Sequence, residues 1–166
     1  MADPKKGELI RREAVLALSN VKVPAIALYA TDVPMGSYLF GFDQTTDEGR
    51  KWIFSCEGES TKDPISHLEH PFLLRAWAAK KVMVNPQDGG DPITQVRVTL
   101  IDPDGDTMSF VSNGVLGSLD LLRTIYGDGP YNPPLALVTE RIKTRGPGHV
   151  WKLRPADTVG PSKKSK

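Results

Sequence analysis

Between Leu73 and Arg154 the apolar residues change period from two to about 3.6 and back again, which restricts this stretch to strands, one helix and further strands. Thr94, Val96, Val98 and Leu100 alternate with Gln95, Arg97, Thr99 and Ile101, the mark of a half-buried strand. The run Asp102-Pro103-Asp104-Gly105-Asp106 reverses the chain and Met108 and Phe110 alternate beyond it, so the two strands form a hairpin. From Val115 the stripe Val115, Leu116, Leu119, Leu122, Ile125 and Tyr126 predicts a helix, capped by Ser112 or Asn113 and stopped by Gly127. Leu135 to Lys143 and His149 to Arg154 return to strand character around Thr144-Arg145-Gly146-Pro147-Gly148, a second hairpin. Leu73 to Val84 runs into a breaker-rich loop, residues 85–92, and supplies the first strand of the set.

Three strands, a helix and two strands is the order that builds a five-stranded OB-fold barrel, a mainly β architecture with its helix between strands 3 and 4. Residues 71–154 are therefore expected to form the barrel, with 1–70 as an extension that packs on it or lengthens its sheet. In that extension Gly7 to Leu18 reads as a short amphipathic helix, while Ala25 to Ala30, Ser37 to Phe42 and Lys51 to Cys56 read as strand-like runs. Asp63 followed by Pro64 predicts one helical turn. Residues 155–166 lack apolar content and read as a disordered basic tail.

With 166 residues, 39% of them hydrophobic and 25% charged, the chain has the composition of one domain with a core. Its single cysteine, Cys56, excludes an internal disulfide, and no apolar run reaches the length of a membrane span. A reduced, cytoplasmic protein without a membrane partner is expected.

The net charge is only +1, but its distribution is uneven. Lys and Arg against Asp and Glu number 8 against 11 in residues 1–70, 10 against 8 in 71–154 and 3 against 1 in 155–166. This balance lacks the strong basic excess of many duplex-DNA binders, so nucleic-acid binding would need local cation clusters combined with stacking rings.

Such clusters exist in the pattern. Arg75, Trp77 and Lys81 share one parity of the first barrel strand, Arg97 lies on the neighbouring strand, and Arg141, Lys143 and Arg145 precede Lys152 and Arg154. Phosphates need positive charge along a groove and unpaired bases need flat partners, for which Trp52, Trp77, Phe110 and Tyr131 are available. A tryptophan in a strand is more often core than platform; Trp151 is read as core, and Trp77 stands between the two roles. The lysines and arginines of 141–154 cannot be core residues without partners and read as a binding face or a solvated one.

Catalytic and metal-binding readings are weaker. His67 and His70 with Cys56 lack the second ligand pair of a zinc site. Asp102, Asp104 and Asp106 resemble a calcium loop, but Gly105 falls too early and Asn113 stands where a closing glutamate is needed. Ser55 and Cys56 have no histidine and acid in a recognisable relation to them, and Gly127 and Gly129 follow a helix, whereas phosphate-cradling loops precede one. A non-enzyme without cofactor is expected.

The run Val98 to Gly105, followed by Phe110-Val111-Ser112-Asn113-Gly114-Val115, Ser118-Leu119, Tyr126-Gly127-Asp128-Gly129-Pro130-Tyr131 and Pro134-Leu135, resembles single-stranded DNA-binding proteins of bacteriophages and related mobile elements. The resemblance covers about residues 71–154 and rests on the order of its parts. It implies an OB-fold that coats exposed single strands during replication or recombination, without cofactor or turnover, with replication proteins as further partners. On this chain it points to Trp52, Arg75, Trp77, Lys81, Arg97, Tyr131, Arg141, Lys143, Arg145, Lys152 and Arg154. Lys163, Lys164 and Lys166, with Lys5, Lys6, Arg11 and Arg12, would add phosphate contacts from the chain ends. The alternative is a protein-interaction module on the same barrel, an assembly or anti-host factor. An open sheet edge and apolar N-terminal strands would also suit a homo-oligomer.

Overall fold

The computed structural model describes residues 24–86, 88–146 and 148–156. The expected helix over Gly7 to Leu18 and nearly all of the expected tail lie outside them. Mainly β, the described residues fold into two antiparallel sheets and two α-helices. The first sheet has the order β1 (Tyr38–Phe40), β3 (Ala76–Val84), β4 (Ile93–Ile101), β5 (Thr107–Val111); the second has β2 (Phe72–Leu74), β6 (Leu135–Lys143), β7 (His149–Pro155).

The strand expected to run unbroken from Leu73 to Val84 is divided at Arg75. Its first part pairs with β6, Phe72 facing Leu137, and its second pairs with β4, Trp77 facing Leu100. At the break the Arg75 N–H donates to Ile101 O at 2.8 Å and its carbonyl accepts from Tyr131 N at 2.8 Å, so the chain changes sheets without losing backbone bonds.

Helix α2 (Asn113–Tyr126) begins at Ser112, whose hydroxyl accepts from Val115 N, and ends at Gly127 with φ +83°, as the apolar stripe predicts. It buries Val115, Leu116, Leu119 and Leu122 against the core formed with Trp77, Val96, Val98, Leu100, Met108 and Leu137. The helix also prevents a closed cylinder. Where a barrel would pair β7 with β5, the Trp151 carbonyl accepts from Ser112 Oγ at 3.2 Å and the Leu153 N–H donates to Ser118 Oγ at 3.1 Å. Two serines thus satisfy backbone groups on the free side of β7. Gly114 allows this approach, since a Cβ there would collide with the Trp151 carbonyl. The expected cylinder is replaced by two sheets joined at Arg75, with a helix in the opening.

The extension is part of the same body. Ser37 to Phe42 does contribute a strand, β1, paired with β3, and Asp63 caps a 3-10 turn at Pro64–His67. The other two runs are corrected. Ala25–Tyr29 is a 3-10 helix, and Lys51 to Cys56 lies in α1 (Asp47–Glu57), which starts at the Thr46 cap. Trp52 and Cys56, four apart, meet the outer face of the first sheet at Phe40, Ala76, Ala78 and Ile101, forming a second core. That spacing fits one helix face as well as it fits a strand, and the Thr46 cap decides between them.

Candidate nucleic-acid interface

Four of the expected contact residues are sealed in the fold. Trp77 is 0% exposed, Lys81 and Trp52 5%, and Tyr131 6%. Each has a structural partner. The Trp77 indole N–H donates to Asp128 O at 2.8 Å, and the Arg123 guanidinium lies 4.7 Å from its ring centroid. Arg123 is itself held by Asp120 at 3.1 Å and Asp128 at 2.8 Å. Lys81 reaches inward and donates to Ala30 O at 2.8 Å and Val33 O at 2.9 Å, anchoring the segment after the first 3-10 helix. Trp52 meets Phe42 edge-on with centroids 5.2 Å apart. The Tyr131 hydroxyl donates to Gly127 O at 2.6 Å, and burial pushes its phenol up to about 12.

Arg75 and Arg97 are also engaged. Arg75 Nη1 donates to Tyr131 O at 2.9 Å, its Nε lies 3.4 Å from Glu48, and its guanidinium rests 5.6 Å from the Trp52 centroid. Arg97 does not share a face with Trp77. Register pairs it with Lys80, so Arg97 and Lys80 lie on the outer face while Trp77 and Lys81 point into the core. There Arg97 Nη2 donates to Cys56 O at 3.2 Å, closing the C-terminus of α1. Lys80 is tied to Glu57 at 3.2 Å and lies 5.0 Å from the Tyr38 centroid; Glu57 also accepts from the Tyr38 hydroxyl. The expected face around Trp77 therefore does not exist: a sealed ring cannot stack on a base, and its neighbouring cations bind the protein itself.

The hairpin β6–β7 differs. Every residue from Arg141 to Arg145 is exposed, as are His149, across from Lys143, and Lys152, across from Glu140. Register places Arg141 opposite Trp151 and Lys143 opposite His149 on the side that carries the buried Thr139 and Leu153. Lys152 and Arg154 lie on the other side. The four strand cations of the hairpin thus divide between two faces, and Arg145 lies in the connection between the strands. Arg154 is neutralised by Glu140, with Nε at 3.1 Å. Lys143, Arg145 and Lys152 make no ion pair among the described residues. Arg141 donates to His149 Nδ1 at 3.3 Å and stands 5.9 Å from the Trp151 centroid. Trp151, read as core, is half-buried: one part packs on the core and meets Phe110 with centroids 6.0 Å apart. The sequence reading missed the Trp151–Arg141 pair, although their positions on a hairpin with a five-residue connection, 144–148, would have placed them across from each other.

The carboxylates considered for calcium have local duties. Asp102 Oδ1 accepts from Asp104 N and Asp106 N, both at 2.9 Å, and Oδ2 pairs with Lys62 at 3.1 Å. This is the bonding of a hairpin turn. The His67 ring bonds the His70 carbonyl at 2.9 Å, and neither histidine belongs to a cluster of three metal-ligating side chains among the described residues. Cys56 is buried, and its desolvated thiol is pushed up to about 12, which keeps it protonated near neutrality.

No helix among the described residues is long and apolar enough to cross a membrane. Comparison with family models, curated proteins and solved structures finds no match to this chain.

Proposed function

We propose that the protein binds single-stranded DNA in a sequence-tolerant manner, without catalysis, using the β6–β7 hairpin as its contact element. The observation that carries this reading is the concentration on one ribbon of the exposed cations Lys143, Arg145 and Lys152, which make no ion pair among the described residues, together with Arg141 and a half-buried tryptophan. Phosphates attract such cations and release counterions when they meet them. The fold is read as an opened OB-type barrel, a class known to be partly open and to use its last hairpin for polynucleotides. Supporting that reading are the element order and the strand path that serves both sheets across Arg75. The setting implied by the sequence resemblance is the coating of exposed strands during replication or recombination of a phage or mobile element.

Fluorescence anisotropy with a labelled oligothymidine at low salt tests the proposal. Wild type binds, and a K143E/R145E/K152E variant with unchanged circular dichroism loses most of that binding. Failure of the wild type to bind ends the reading.

A second reading has its own observation. Leu121 and Ile125 are each 61% exposed on α2, and Tyr126 leads from them to a groove of about 270 Å³ lined also by Pro134, Leu135, Ala136 and Pro155. Exposed apolar side chains beside a groove suit a protein partner. L121E and I125E would abolish such a contact and leave oligonucleotide binding intact.

A further inference from the structure

We infer that Trp151 is a stacking platform for one unpaired base, with Arg141 as its movable cover, and that discrimination of single from double strands resides at this ring. The inference rests on the single-strand reading above and adds the position at which a base is held. Of the three tryptophans, Trp77 and Trp52 are sealed, and only Trp151 is half-buried. Phe54 and Tyr126 also reach solvent, but Phe54 stands on α1 and Tyr126 lines a groove with Leu135, Ala136 and Pro155, at the end of β6 and β7 opposite Lys143 and Arg145. Tyr38 carries Lys80, yet Glu57 holds both by hydrogen bonds. Trp151 alone combines a half-buried ring with cations on the paired strand, Arg141 opposite and Lys143 two residues on.

Arg141 suits the part of a cover. Exposed itself, it is retained by one hydrogen bond to His149 and by its approach to the indole. An arriving strand offers a phosphate to its guanidinium and a base to the ring it leaves, so both partners remain satisfied. A base inside a duplex is already stacked and cannot take that place, whereas phosphates of either form reach Lys143, Arg145 and Lys152. The hairpin cations therefore supply affinity for any polynucleotide, and Trp151 supplies preference for an unpaired one.

The test uses intrinsic fluorescence and anisotropy together on the full chain. Oligothymidine should quench the wild-type emission, and W151F, which keeps a packed ring, should lose that quenching while still binding. W151L should weaken single-strand binding roughly 5- to 150-fold, the range for one stacked base, and leave duplex binding within about twofold. Quenching that persists in W151F, or equal single-strand affinity in W151L, overturns the inference while the hairpin proposal stands. If W151L does not fold, the W151F quenching decides alone. If labelled strands do not bind the wild type at low salt, the parent reading fails first and takes the inference with it.

Discussion

Lys81 shows how far burial can change the meaning of a charged residue. Its ammonium ends between two backbone carbonyls, so Lys81→Ala leaves the Val33 carbonyl unpaired and Ala30 O with only the Val33 N–H, and should destabilise the protein by about 1–3 kcal/mol. The salt dependence of oligonucleotide binding should be unchanged by that substitution, because the cation never faces phosphate. Trp77→Ala opens a core cavity and orphans the Asp128 carbonyl, with an expected loss of about 3–5 kcal/mol by chemical denaturation. Tyr131 and Cys56 set a pH dependence on the alkaline side. Burial raises both groups in the fold, Tyr131 from 10.0 to about 12 and Cys56 from 9.0 to about 12. The unfolded chain therefore releases these protons first, so the stability they contribute is complete below about pH 9 and is lost as pH rises toward 12. Denaturant titrations from pH 8 to 11 should show falling stability, with a shallower fall in Cys56→Ala.

Among the elements, the contact of α2 with β7 decides the architecture. Ser118→Ala removes the acceptor for the Leu153 N–H and should cost about 1–3 kcal/mol, with local amide exchange at Leu153 accelerated. Gly114→Ala should be more damaging than any helix-propensity argument suggests, because its methyl meets the Trp151 carbonyl. The same contact explains what could and could not be read from sequence. The α2 stripe with its Ser112 cap and Gly127 stop, and the hairpins on either side, are local patterns and appear where expected. The opening between β5 and β7 was not legible, because it depends on Ser112 and Ser118 serving a strand more than 30 residues away. Parity along β3 correctly grouped Trp77 with Lys81 but could not tell the inner side from the outer one. It placed Arg97 beside them, whereas the register faces Arg97 toward Lys80. The run 51–56 read as a strand because a short apolar segment satisfies both periods, and the capping Thr46 five residues earlier carried the better signal.

At the scale of the molecule, an almost neutral chain has most of the cations of its described residues engaged with its own carboxylates and carbonyls, as at Arg75, Lys80, Arg97, Arg123 and Arg154. Among the described residues the β6–β7 hairpin holds most of the exposed cations that make no ion pair, Lys143, Arg145 and Lys152. Any polynucleotide binding by the described body should accordingly be weak at high salt and concentrated on one ribbon. The most direct measurement is the slope of log K against log salt for an oligothymidine, wild type against K143Q/R145Q/K152Q. Each single-strand phosphate contact contributes about −0.7 to that slope, so the triple variant should be shallower by about 2. An identical slope in the two proteins, or no measurable binding by either, would contradict the assignment of this hairpin as the binding element.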